Sequence, residues 1–359
     1  IQANNVQSKV VEEGANLFSL NKNIIKILRA HPDLTLDHPT NNSIEVYGPK
    51  GTINFLKTLT SNVQPIHYDD KATQDYPTSQ EIENKLTQLA NTYPEILRMF
   101  SLGKTHQGKD IWAVKISDNP DTDELEPETK YIANMHGDEI VGRELMVLLI
   151  EEIAKGYKAE NNKIINLVDN LEIYIIPSMN PDGADKVRRG NNDWVDLNRD
   201  FPDFTTSDNQ NDLDGREPET KAIMKFQKER NFSLSANFHG GAEVVNYPWD
   251  TTGDEHPLHE HILQLSLDYA QLVPGMRDNY RFPKGVVNGY DWYEVNGGMQ
   301  DWSYHWHEDL QITIELSNKK YPNYNVIDKY WRDNRESLLN YLESAITGVG
   351  LSNPKGGSL

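Results

Sequence analysis

The first seventy residues alternate short apolar runs with polar breaks. Asn16-Leu17-Phe18-Ser19-Leu20 has the period of a strand, and Asn23 to Ala30 spaces its apolar residues as a helix does. Leu34-Thr35-Leu36 and Ser43-Ile44-Glu45-Val46-Tyr47 suit strands, Ile53 to Leu59 a second helix, and Val63 to His67 a last strand. This β-α-β-β-α-β order closes as a small α+β ferredoxin-like open sandwich with both helices on one face. We therefore expect residues 1–70 to form a unit of their own, followed by a polar linker at 71–78.

From Ser79 the units are longer. The spacing predicts helices over Ser79 to Thr92, Glu139 to Tyr157, Glu217 to Glu229, His259 to Leu272 and Val326 to Ala345. It predicts strands over Ile96 to Leu102, Asp110 to Ile116, Tyr131 to Met135, Leu171 to Ile176, Phe232 to Phe238 and Gln311 to Glu315. Strands alternating with helices imply an α/β domain over 79–348, a mostly parallel, doubly wound mixed sheet with helices on both faces. Ligands of such sheets collect at the carboxyl ends of the strands. His136, His239 and Glu315 each fall at the end of a predicted strand, so three separate segments converge on one crevice.

Length and composition set the limits. A chain of 359 residues with 37% hydrophobic content can bury one large domain and one small one. No apolar run approaches a membrane span, because the longest, Leu145 to Ile153, is broken by Glu151 and Glu152. The chain opens on Ile1 rather than Met, and we expect a secretory signal to have been removed, which places the protein outside the cell or in a periplasm. Without cysteine there is no disulfide framework, thiol nucleophile or thiolate metal site. A net charge of −20 argues against a nucleic-acid partner and favours cationic ligands.

The chemistry starts at His136-Gly-Asp-Glu139. An imidazole and a carboxylate at the mouth of a strand suit a hydrolytic zinc ion, and His239 is the candidate third ligand. Glu315, emerging from the apolar run Leu310 to Ile314, would be partly desolvated and raised in proton affinity, as a general base requires; its ordinary role would be an ion pair with Lys319 or Lys320. Asp196-Leu-Asn-Arg-Asp200 sets an arginine fork beside an amide, a combination that binds carboxylates. Arg188 and Arg189 could each polarise a carbonyl, and the residues alone do not choose between them.

Together these segments resemble the zinc metallocarboxypeptidases of the M14 family, particularly the regulatory branch that includes carboxypeptidases D, M, N and E. The resemblance spans Tyr76 to Gly348. It is carried by His136-Gly-Asp-Glu139, Asn180-Pro-Asp-Gly183, Asp196-Leu-Asn-Arg-Asp-Phe-Pro202, Ser235-Ala-Asn-Phe-His-Gly-Gly241 with Asn246-Tyr-Pro-Trp-Asp250, Gly297-Gly-Met-Gln-Asp301 and Ile312-Thr-Ile-Glu-Leu-Ser317. It implies a carboxypeptidase-like fold, zinc held by His136, Glu139 and His239, and Glu315 as the base. It also implies Asn198 and Arg199 as the clamp on a substrate's terminal carboxylate, which makes an exopeptidase. Arg189, seven residues before Asp196, takes the oxyanion role, and Tyr293, eight before Asp301, matches a tyrosine that closes over the bound residue. Asp250, eleven residues after His239, matches the aspartate that selects C-terminal Lys or Arg; Gln300 also follows the branch. Asp138 stands where some digestive relatives carry an arginine that binds upstream residues.

Several segments depart from the family. The tail at 349–359 resembles only the opening of the transthyretin-like domain that usually follows in this branch. The unit at 1–70 is not typical of it; its element order is that of the digestive branch's pro-segment, yet we expect a retained accessory domain, since the linker offers only Lys71 for basic cleavage. His256, His259 and His261 read as a polar helix start, and the acidic loop Asp208 to Gly215 lacks the final carboxylate of a calcium loop. Two other functions stand beside Lys/Arg release: trimming of C-terminal glutamate or peptidoglycan peptides, and a non-catalytic, zinc-containing peptide-binding module.

Overall fold

A computed structural model of the chain describes residues 9–67 and 75–347. The tail at 349–359 and residues 71–74 of the expected linker lie outside the described residues. The N-terminal unit runs β1 (Glu13–Phe18), α1 (Lys22–Ala30), β2 (Thr35–Asp37), β3 (Ser43–Gly48), α2 (Thr52–Leu59) and β4 (Val63–Pro65). Its four strands form an antiparallel sheet in the order β2-β3-β1-β4. Ala15, Leu17, Ile44 and Val46 from the strands meet Ile24, Leu28 and Leu56 from the two helices in one buried cluster.

The larger unit begins with α3 (Ser79–Thr92), β5 (Leu97–Lys104), β6 (Asp110–Ile116), β7 (Glu128–Ala133), α4 (Val141–Lys158), α5 (Asn162–Val168), β8 (Glu172–Ile176) and α6 (Pro181–Asp185). It continues with α7 (Pro218–Lys228), β9 (Phe232–His239), β10 (Glu243–Tyr247), α8 (His259–Leu272), α9 (Pro274–Arg277), β11 (Val286–Asn288), α10 (Gly289–Trp292), α11 (Met299–His307), β12 (Leu310–Leu316) and α12 (Ile327–Thr347). The eight strands lie in the order β11-β10-β12-β9-β7-β8-β6-β5. Strands β12, β9, β7 and β8 are mutually parallel, β6 is antiparallel to β5 and β8, and β10 is antiparallel to β12 but parallel to β11. The sheet is thus mixed with a parallel centre, as the alternating elements imply.

The two-residue period decides which face each strand residue covers. In β8, Ile173 and Ile175 join a core built with α3, α4, α5, α8 and α12, whereas Tyr174 and Ile176 join a second core with α7 and α11. Helices therefore cover both faces. Helix α3 starts at a capping box, in which the Thr78 side chain accepts the Glu81 N–H and Glu81 accepts the Thr78 N–H. Its buried Ile82, Leu86 and Leu89 recur at helical spacing. Strands β10 and β11 and helix α11 are additions to the predicted elements. Strand β11 has three residues, too short for a period to register, and α11 buries Gln300, Asp301 and Ser303 beside Met299 and Trp302, so it lacks an apolar stripe.

The two units are joined by backbone as well as side chains. Val10 bridges Val195, Asp196 N–H donates to Lys9 O at 2.8 Å, and Lys9 Nζ lies 2.8 Å from Asp200 Oδ1.

Candidate active site

His239 is the last residue of β9, and Glu315, one residue from the end of β12, pairs with it in the parallel register. His136 and Glu139 lie in the loop between β7 and α4. That loop is pinned from within: Asn134, with φ of 58°, donates its side-chain amide to His136 O at 2.9 Å and Glu139 O at 3.2 Å. It is also pinned from outside. Asn180 donates to Met135 O at 3.0 Å, and a Cβ on Gly137 would stand 2.1 Å from the backbone of Gly183. The His-Gly-Asp-Glu and Asn-Pro-Asp-Gly motifs are therefore two sides of one contact.

His136 Nδ1 lies 3.0 Å from Glu139 Oε2 and 3.2 Å from His239 Nδ1, which is 2.8 Å from Glu139 Oε2. Donors about 2.0–2.1 Å from a tetrahedral ion stand about 3.3 Å apart, so the three atoms are spaced for a cation slightly contracted upon itself. His136 Nε2 is 2.9 Å from Asp196 Oδ1, which holds the proton on Nε2 and turns the Nδ1 lone pair to the centre of the set. All three residues are buried, and a zinc ion fits this donor set.

Asp196 also accepts from Arg189 Nε at 2.9 Å, and Arg189 Nη1 reaches Glu139 Oε1 at 3.3 Å. Burial would raise the Asp196 carboxyl, but the Arg189 guanidinium and the His136 imidazole hold it far below the usual range. Burial likewise favours a protonated Glu139, and His136, Lys320 and His239 overcome it and hold it well below its ordinary value. Burial and Arg189 push His136 down, while Glu139 and Asp196 outweigh them and leave it raised. Arg189 is the arginine in the site. Arg189 lines the cavity that holds these residues, whereas Arg188 lies 4.2 Å over the Trp194 ring.

Residues from both units line a cavity of about 20 Å³: Asn198, Arg199, Asp250, Tyr293 and Glu315 with the metal set, and Asp37 and His38 from the N-terminal unit. Asn198 Oδ1 accepts the Met299 N–H at 3.0 Å, and Arg199 Nη1 donates to Asn198 O at 2.9 Å. Asp250 accepts from Asn246 at 3.0 Å, and Asp301 fixes its backbone by accepting the Asp250 and Thr251 N–H groups at 2.9 Å. Burial pushes the Asp250 carboxyl up to about 7. Gln300 is not on the cavity wall; it is 1% exposed, and both amide atoms lack a partner.

The ordinary ion pair of Glu315 with Lys319 or Lys320 is not made. Lys320 Nζ instead meets Glu45 at 2.7 Å, Asp37 at 3.1 Å and Glu139 at 3.5 Å, and the neighbour of Glu315 is His38, at 3.2 Å. Asp37, His38, Asp196 and Lys320 are the site residues that sequence reasoning missed. Asp196 had a signal, its place at the head of the clamp motif; Asp37 and His38 had none beyond a polar turn before Pro39. Among the described residues His256, His259 and His261 do not assemble into a metal set. His256 Nδ1 caps Leu258 N–H at 3.0 Å, and in the acidic loop Arg216 forks onto Asp208.

The sequence pattern of the zinc carboxypeptidase family, peptidase M14, matches residues 82–337. Human carboxypeptidase D is 37% identical over 372 residues, covering 96% of this chain and 26% of that protein. The chain thus spans about a quarter of the length of that relative. Mouse carboxypeptidase M is 38% identical over 299 residues, 76% of this chain and 66% of that one. The crystal structure of carboxypeptidase A from Helicoverpa armigera shares the fold, with a TM-score of 0.74 over 96% of this chain and 100% of that chain at 17% identity. The fold is that of a carboxypeptidase domain, and the chain belongs to the zinc carboxypeptidase family. Its relatives named carboxypeptidase D, M and N place it with the regulatory branch to which its motifs point.

Proposed function

We propose that the chain is a zinc-dependent exopeptidase that hydrolyses the C-terminal peptide bond of peptides and proteins and releases Lys or Arg. The observation that carries this reading is the convergence of His136 Nδ1, His239 Nδ1 and the Glu139 carboxylate, with Glu315 and Arg189 on the same cavity. Zinc held by His136, Glu139 and His239 would supply Lewis acidity to the scissile carbonyl and to a water. Glu315 takes that water's proton and returns it to the leaving amine. Arg189 faces the negative charge that develops on the carbonyl oxygen. Asn198 and Arg199 hold the terminal carboxylate, so that only the last peptide bond reaches the reacting groups, and Tyr293 closes over the bound residue.

Asp250 faces the side chain to be released. A buried carboxyl without a cationic partner in hydrogen-bond reach favours a Lys or Arg side chain, and the charge of −20 steers such peptides inward. Gln300 is assigned to the same pocket on the pattern of the branch alone. A secreted or periplasmic location belongs to this reading; among the described residues no helix is long and apolar enough to cross a membrane.

Peptides ending in Lys, Arg, Leu and Glu, offered to the zinc-loaded full chain with and without a chelator, test the proposal. Chelator-sensitive loss of one residue, fastest from Lys and Arg ends, is expected. Faster trimming of the Glu end would make this a glutamate-trimming enzyme. Binding of every peptide with no cleavage over hours would make it a peptide-binding module.

A further inference from the structure

The turn between β5 and β6 carries His106, whose Nε2 lies 2.7 Å from Glu217 Oε2 and 3.5 Å from Asp193 Oδ2. One donor atom from each of these three residues lies within 4.8 Å of the other two. Donors about 2.0–2.1 Å from a tetrahedral ion stand about 3.3 Å apart, so the two measured spacings bracket what a small cation needs. The cluster shares no residue with the candidate active site.

A third carboxylate stands behind it. Asn191 Nδ2 donates to Glu217 Oε2 at 2.7 Å and to Glu219 Oε2 at 3.0 Å, so both glutamates converge on one amide. Glu219 is fully buried, and its Oε1 has no hydrogen-bond partner. Its charge reaches the imidazole: burial pushes His106 down, but the hydrogen bond to Glu217 and the charges of Glu219 and Asp193 outweigh it and leave it raised. Among the described residues no lysine or arginine pairs with any of the three carboxylates. Lys186 donates instead to Asn192 Oδ1 at 2.8 Å, and Arg188 covers the Trp194 ring. An ordinary ion pair would use His106 and one carboxylate. Here Asp193 and Glu219 are left over, and a second positive charge would offset them.

We propose that His106, Asp193 and Glu217 form a second metal site, for a divalent transition-metal ion such as zinc, with Glu219 as its buried negative wall. An imidazole nitrogen among carboxylates selects such an ion over calcium or magnesium, which take oxygen ligands. The ion binds the Nε2 lone pair, so the proton that His106 shares with Glu217 leaves on binding. Three segments meet at the site: the β5–β6 turn, the loop from Arg189 to Asp196, and the start of α7. Asn191 already braces that loop by accepting the Asp193 and Val195 N–H groups at 3.0 and 3.1 Å. The ion's role is structural: it fastens the loop whose two ends carry Arg189 and Asp196 into the candidate active site.

The test titrates zinc at constant pH into the full chain and its Glu139→Gln, His106→Ala and Asp193→Asn variants. Bound zinc is counted after gel filtration, and deuterium exchange of the Asp193 and Val195 amides is followed. The parent should hold two zinc ions per chain. Glu139→Gln should retain one that excess calcium or magnesium does not displace, and His106→Ala should retain only the one at His136, Glu139 and His239. In the parent the second equivalent should slow exchange of both amides at least tenfold, and in His106→Ala it should not. Asp193→Asn, a change at a half-exposed side chain, should weaken the second zinc at least tenfold and serves should His106→Ala fold poorly. Two zinc ions held by natively melting His106→Ala and Asp193→Asn chains would overturn the site, as would a parent that holds one ion and loses it in Glu139→Gln. Displacement of the second zinc by calcium would overturn its assignment to a transition metal.

Discussion

Asp196 is the residue through which the metal set and the oxyanion arginine are held as one, and its replacement by asparagine gives a sharp prediction. The carboxylate accepts from His136 Nε2, Arg189 Nε and the Asn198 N–H, each at 2.9 Å, and the residue is fully buried. Asparagine keeps the shape and one acceptor oxygen but removes the charge, and charge-assisted hydrogen bonds are about twice as strong as neutral ones. The Arg189 fork keeps Glu139 and Asp37, so the fold should persist. The His136 ring loses basicity and its fixed orientation. Loss of such an outer partner typically costs about 10–100-fold in metal affinity, equal to about 1.4–2.7 kcal/mol. Zinc affinity measured by competition with a chromophoric chelator at constant pH reads this directly, and Asn198→Ala, which spares the backbone N–H to Asp196, should leave the affinity within twofold. If Asp196→Asn bound zinc as tightly as the parent, the assignment of Asp196 as the partner that orients His136 would be wrong.

Glu315→Gln should lower kcat by about 10²–10⁴-fold with zinc affinity retained, the range expected when a general base is removed; single-turnover hydrolysis together with a metal assay checks it. Asp250 must be ionised to receive a cation, and its carboxyl is pushed up to about 7, so kcat/KM for Arg-ended peptides should fall as pH drops through about 7. A Leu-ended peptide should lack that limb, and Asp250→Asn should abolish both the limb and the Arg preference. Gly137→Ala would drive a Cβ to within 2.1 Å of the Gly183 backbone, which cannot rotate away. A cost near the upper end of the overpacking range, about 3 kcal/mol, should appear as a lowered denaturation midpoint.

Much of this site was legible in the sequence because parallel strands bury both faces and expose their carboxyl ends. An apolar run that ends in His239 or Glu315 announces both the strand and the group it delivers, and those two residues stand opposite each other in the register. Helices α3 and α8 were readable to the residue, since each carries buried apolar positions at helical spacing. Helix α11 was not, because its buried face includes Gln300, Asp301 and Ser303, whose environment comes from distant loops. The choice of Arg189 over Arg188 needed the family pattern or the fold, since adjacent residues in a loop have no period to separate them. Asp37 and His38 were invisible for a different reason. They lie about 100 residues before the first zinc-ligand candidate, His136, in a turn whose composition is that of any polar turn, and only docking of the two units gives them chemistry.

The central claim is that this site removes one residue from a free carboxyl terminus. It is tested most directly by mass spectrometry of two peptides of identical sequence ending in Arg, one with a free carboxylate and one amidated, incubated with the zinc-loaded chain. The account predicts a product from the free acid lighter by one arginine residue and no product from the amide. Internal cleavage of either peptide, or equal cleavage of both, would contradict it.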